Sequence, residues 1–158
     1  SILRMQAMSK PSSCKAYLGI DYGKKRIGLA YAAEPLLLTL PIGNIEAGKN
    51  LKLSAEALHK IILSRNITCV VLGNPLPMQK GLYSSLQEEV SLLAEELKKL
   101  STVEIILWDE RLSSVQAERM LKQDCGLSRK DRKGKTDSLA ATLILTSFLD
   151  SLPKKLTL

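Results

Sequence analysis

Apolar residues in this chain fall into short runs and helical stripes that follow one another in a readable order. Tyr17 to Ile20 is an apolar run closed by Asp21, and Ile27 to Tyr31 is a second run beyond Tyr22-Gly-Lys-Lys-Arg26. Two such runs joined by a short Gly-containing segment predict a β-hairpin. Glu34 to Pro41 is apolar between prolines, which predicts a short extended element, a third antiparallel strand at a sheet edge. Residues 42–49 read as a Gly/Asn loop. Leu51, Ala55, Leu58 and Ile62 recur at helical spacing and predict an amphipathic helix over roughly 50–65, broken at Asn66.

Ile67 to Leu72 and Val103 to Trp108 are brief and apolar, as buried parallel strands are. Between them lie the loop Gly73 to Gly81 and a helix opened by Ser85 and Glu88 in capping-box spacing, with Leu86, Val90, Leu93 and Leu97 as its stripe. Ser113 with Gln116 predicts a further helix to about Gln123, stopped by Gly126. Residues 127–136 read as a basic loop, and a last helix runs from about Thr136 to Leu152. The order β-β-β-α-β-α-β-α-α predicts an α/β fold, with a mixed sheet of antiparallel hairpin then parallel strands, flanked by helices. The expected organisation is a poorly ordered N-terminal arm over 1–15 and one domain over 16–153.

Composition narrows the chemistry. The chain has 158 residues, 45% apolar and 25% charged, the balance of a water-soluble globular protein. Its net charge of +7 favours anionic partners, nucleic acid first. Cys14, Cys69 and Cys125 lie far apart without CxxC spacing, which argues against a disulfide framework or zinc site and suits a reducing cytoplasm. No apolar stretch reaches spanning length, so no membrane partner is expected. Oligomeric state stays open between monomer and homodimer.

Four acids stand out by position. Asp21 ends the first strand between Gly19 and Gly23, Asp109 and Glu110 follow the last strand, and Asp137 opens the final helix. Ligands of α/β sheets gather at the carboxyl ends of strands. Asp137 shares a helical stripe with Ala140, Ala141, Ile144 and Phe148, so it is expected to face the sheet; the alternative is an acid that only caps the helix. Carboxylates from separate elements are what hard cations such as Mg²⁺ or Mn²⁺ need. Two such ions about 4 Å apart support phosphodiester hydrolysis.

The single histidine, His59, reads as a core-border residue. There is no phosphate loop of the GxxxxGK[ST] type, and Ser84 and Ser85 have no visible base partner. Ser128-Arg-Lys-Asp-Arg-Lys-Gly-Lys135 packs five cations into eight residues just before Asp137. Candidate phosphate contacts are Lys24, Lys25, Arg26, Arg111, Arg129, Lys130, Arg132, Lys133 and Lys135, reading backbone rather than base sequence. With aromatics at 4%, broad base stacking is not expected; Tyr22 is the one candidate, and Trp108 reads as core.

Four segments in order resemble the YqgF/RuvX family, over roughly residues 17–150. Gly19-Ile-Asp-Tyr-Gly-Lys-Lys-Arg-Ile-Gly28 is similar to its first motif, and Gly73-x-Pro75 with Gly81 to its central loop. Asp109-Glu-Arg-Leu-Ser-Ser114 resembles its strand-end motif, and Arg129 to Ala141 its last. Asn74 and Met78-Gln-Lys80 depart from the family pattern. The resemblance implies a fold like RNase H and the RuvC resolvases. It also implies a metal-dependent endonuclease with Asp21, Asp109 or Glu110, and Asp137 as the acidic set. Glu110 is preferred over Asp109 by analogy with the resolvase sites, and both are kept because neighbours on a strand point opposite ways.

The family's two assigned roles imply two substrates, precursor 16S ribosomal RNA matured at its 5′ end and four-way junction DNA; the RNA role is preferred. A nucleic-acid-binding module with a weak site is the competing class. An actin-like kinase needs two such domains and a second phosphate loop, and this chain is too short for it.

Overall fold

The computed structural model describes residues 14–76, 85–113 and 129–153, with side chains of the last segment described from Ser138 onward. Strands β1 (Ala16–Tyr22), β2 (Arg26–Ala33) and β3 (Leu40–Glu46) form a meander. Helix α1 (Leu51–Ser64), strand β4 (Cys69–Asn74), helix α2 (Ser85–Leu100) and strand β5 (Glu104–Asp109) follow. A 3₁₀ turn (Glu110–Leu112) leaves β5, and helix α3 (Arg129–Ser151) closes the described order. The sheet order is β3-β2-β1-β4-β5; β1 pairs antiparallel with β2 and parallel with β4, and β4 parallel with β5. The expected α/β fold and mixed five-stranded sheet are present.

The helices form where local chemistry favours them. Asn50 caps α1 by accepting from the Leu53 N–H at 2.9 Å, and Asn66 leaves the helix with φ of +54°. Apolar stripes Ala55, Leu58, Ile62 on α1 and Val90, Leu93, Leu97 on α2 cover one sheet face with Leu18, Ile20, Val70 and Leu72. The other face, lined by Tyr17, Ala30, Val71 and Cys69, is covered by α3 through Ala140, Ala141, Ile144, Leu145 and Phe148. Central strand β1 is buried throughout, so its residues sort to the two faces by alternation.

Two expectations are corrected. The third strand lies at Leu40–Glu46, not over Glu34–Pro41, where the chain instead turns after Ala33, whose carbonyl accepts from the Leu37 N–H at 2.9 Å. Residues 42–46 looked like loop because they hold Gly43 and Asn44. At a sheet edge, however, Pro41 needs no ladder donor, and a bulge between Leu29 and Ala30 seats Gly43 at φ +90°. The last helix begins at Arg129, so the basic segment belongs to its first turns and not to a loop. Arg and Lys are good helix formers, which outweighs the single Gly134. The helix expected over Ser113–Gln123 falls largely outside the described residues, as do the N-terminal arm and the 77–84 part of the central loop.

Candidate active site

Asp21 is the penultimate residue of β1 and only 4% exposed. Alternation places it on the α3 face, like Gly19, where an added Cβ would lie 2.9 Å from the Ala141 carbonyl oxygen and 2.8 Å from Leu145 Cβ. Small residues on both sides let α3 press against the strand that carries Asp21.

Glu110 reaches the same face by a different route. Strand β5 ends at Asp109, and Glu110, first residue of the 3₁₀ turn that follows, keeps the parity of Ile106 and Trp108, which face α3. The side chain folds over β4 and is 4% exposed. It occupies the space above Gly73: a Cβ there would sit 2.8 Å from Glu110 Oε1 and 2.5 Å from Ile144 Cδ1. Ile20 pairs with Leu72, so Asp21 and Gly73 are the next residues on neighbouring strands. Strands lie about 4.8 Å apart. The Glu110 carboxylate therefore packs over the strand adjacent to Asp21, under the same helix.

Asp109 goes elsewhere. Its carboxylate accepts from the Arg111 guanidinium at 2.9 to 3.1 Å, and Oδ1 also accepts from the Arg111 backbone N–H at 2.9 Å. The guanidinium hydrogen bonds hold the Asp109 carboxyl below its ordinary range, and the same contact raises Arg111. Of the two neighbouring acids, one is buried inward and the other is committed to a surface ion pair.

Lys24 is exposed and its Nζ lies 3.8 Å from Glu89 Oε2; Lys25 is exposed and Arg26 half-buried. Asp137 lies in α3 just before the helix meets the sheet, while its side chain and those of Arg129, Lys130, Arg132, Lys133 and Lys135 lie outside the described ones. Tyr22 is not a base-stacking surface: it is 8% exposed, points to the α2 face and donates to Glu89 Oε1 at 3.4 Å. Burial first, then the Glu89 charge, pushes its hydroxyl upward. Trp108 packs edge-on against Phe148 with centroids 5.4 Å apart, and its Nε1 donates to Ser147 Oγ at 3.1 Å. Cys69 is buried and its thiol is pushed up to about 11, chiefly by burial, so it offers no thiolate nucleophile near neutral pH.

Sequence reasoning passed over Ser138, which is 7% exposed and bonded to both β2 and β3. Its signal was a hydroxyl on the row 138, 141, 145, 148, among apolar residues. Gly73 was read as loop onset, and its lack of a side chain is what admits Glu110. Among the described residues no group of three or more His, Cys, Asp or Glu gathers as a metal site. The two buried inward acids are oxygen donors only, which fits a hard divalent cation rather than zinc or iron.

Residues 15–151 match the family model described as RuvX, Holliday junction resolvase. A Chlamydia felis protein named "putative pre-16S rRNA nuclease" is 65% identical, covering 92% of this chain and 97% of its own. A Chlamydia caviae protein of the same name is 63% identical, covering 96% and 94%. Among solved structures, a fowlpox virus resolvase in complex with Holliday junction DNA matches at TM-score 0.52 and 14% identity, covering 88% of this chain and 99% of that one. Thermus thermophilus RuvC with a Holliday junction substrate matches at TM-score 0.50 and 14% identity, covering 84% and 91%. At those identities the likeness shows the fold, which is that of the RNase H-like resolvases. The family match over nearly the whole described sheet and helices, joined to relatives above 60% identity, decides the question the strand-end acids raised: this chain belongs to the RuvX family.

Proposed function

We propose that the protein is a Mg²⁺- or Mn²⁺-dependent endonuclease that hydrolyses phosphodiester bonds in the 5′-end maturation of precursor 16S ribosomal RNA in the cytoplasm. The observation that carries this reading is the pair of buried carboxylates, Asp21 and Glu110, brought to one sheet face beneath α3. Asp137 is the third member of the proposed ligand set, since it lies on the helix that covers them. When bound there, a pair of divalent ions would activate the attacking water and stabilise the leaving oxygen.

The chain's own groups do the rest. Burial of Asp21 and Glu110 keeps both acceptors oriented and away from bulk water. The Asp109–Arg111 pair fixes the 3₁₀ turn from which Glu110 departs. Lys24 to Arg26 and the basic start of α3 supply the cations for substrate phosphates. The names carried by the chlamydial relatives support RNA as the substrate. The family description and the resolvase-like fold support four-way junction DNA as the second reading.

The test is cleavage of a precursor 16S RNA and of a four-way DNA junction, each with and without Mg²⁺, by wild type and Asp21→Asn. Metal-dependent RNA cleavage that falls about 100-fold or more in Asp21→Asn is expected, since even supporting residues of metal sites cost 10- to 100-fold. Cleavage of the junction alone would transfer the assignment to recombination. Binding of both without cleavage would make the protein a binding module.

A further inference from the structure

Toward its far end helix α3 is bonded to β5 through Ser147, which accepts from Trp108; at its start it meets the sheet through apolar side chains with one described exception. Ser138 is buried among them, and its hydroxyl touches two backbone groups that belong to each other. Oγ accepts from the Gly43 N–H at 3.3 Å and donates to the Leu29 carbonyl at 3.3 Å. Leu29 and Gly43 are partners across the β2–β3 ladder, at the point where the register slips by a bulge. The hydroxyl thus links the members of one strand pair to the helix.

We infer that Ser138 is a positioning residue: it sets the depth and rotation of α3 over the sheet at the residue that precedes it, Asp137, and so fixes the third acidic ligand relative to Asp21 and Glu110. The inference rests on the proposed role of Asp137. The geometry suits that role. One turn further along, Ala141 lies against Gly19, and Ile144 packs over Gly73 beside Glu110. Those apolar contacts limit how closely the start of the helix approaches, whereas a hydroxyl with one donor and one acceptor partner is directional. The bulge matters because it seats Gly43 at a φ of +90°, with its N–H within reach of Ser138 and open space where a side chain would stand.

The experiment measures Mn²⁺ binding to the full chain without nucleic acid, by electron paramagnetic resonance, alongside RNA affinity without metal and the unfolding midpoint. Ser138→Ala is expected to weaken Mn²⁺ binding about tenfold or more, within the range for residues that orient metal ligands. RNA affinity should stay within about twofold, because no phosphate contact is removed. Ser138→Thr, which keeps the hydroxyl, should restore Mn²⁺ affinity. In an Asp137→Asn background, Ser138→Ala should add no further loss, as a residue acting through Asp137 requires. Should Ser138→Ala fail to fold, Ser138→Cys, with a much weaker donor, carries the same expectation. The inference is overturned if Asp137→Asn loses Mn²⁺ while Ser138→Ala keeps it, even if the unfolding midpoint falls. If Asp137→Asn binds Mn²⁺ like wild type, the role of Asp137 fails, and this inference with it.

Discussion

Two adjacent acids, Asp109 and Glu110, end in different surroundings. Asp109 caps the turn and pairs with Arg111, while Glu110 enters the space that Gly73 leaves. Glu110→Gln should therefore reduce cleavage about 100-fold or more with little change in fold, and Asp109→Asn should leave most of the activity. Steady-state cleavage assays on the two variants check this, and equal losses would contradict it. Asp109 also carries a pH signature. Its carboxyl is held below the unfolded value of about 3.9, so its stabilising effect is complete above roughly pH 4 and is lost as pH falls through the folded value. Wild type and Asp109→Asn should differ in urea midpoint at pH 6 and converge as the pH falls through the folded-state value.

At the scale of elements, α3 packs closely on β1. A methyl at Gly19 would meet a helix carbonyl oxygen at 2.9 Å, and backbone cannot swing aside as a side-chain end can. Gly19→Ala should cost about 1–3 kcal/mol by overpacking. Leu145→Ala on the opposite side of that contact should cost about 2–5 kcal/mol by leaving a cavity. Chemical denaturation measures both, and both should lower activity by loosening α3 over Asp21.

The same elements show what local pattern can and cannot reveal. Helices α1 and α2, the Asn66 stop and strands β1, β2, β4 and β5 were legible because their signals are local: periodicity, a capping box and β-branched runs. Strand β3 was not, because Pro41 and Gly43 are tolerated only through a pairing with β2 that no local window contains. The start of α3 was misplaced because Gly134 and a charge run resemble loop, while α3 is continuous from Arg129. Asp21 and the acids after β5 were visible as carboxylates at strand ends. Which of Asp109 and Glu110 turns inward was not, since alternation says only that the two point opposite ways until the face of β5 that α3 covers is known.

Across the whole molecule, charge governs how a polyanion is met. A net charge of +7, with five cations between Arg129 and Lys135 just before Asp137 in the chain, implies attraction that acts before any specific contact forms. RNA affinity should fall steeply with salt, each phosphate contact adding about 0.7 to the slope of log affinity on log salt for single strands. Replacing Arg132 and Lys133 by Ala should flatten that slope by roughly one to two contacts and weaken different RNA sequences alike. Fluorescence anisotropy over a salt series reads this directly; a slope unchanged by the double substitution would remove the segment from the interface.

The irregular edge at β3 has a second consequence, for crowding rather than catalysis. Among the described strands β3 is the outer one on its side, and the approach to it carries Leu36, Leu38 and Leu40, all exposed. A straight, sticky edge of that kind would invite the strand of a neighbouring molecule. Pro41 removes one donor from the outward row and the bulge bends the rest, so the sheet ends in a profile that a second sheet cannot continue. The kink thus disfavours fibre-like stacking at the edge where those apolar side chains stand in the open.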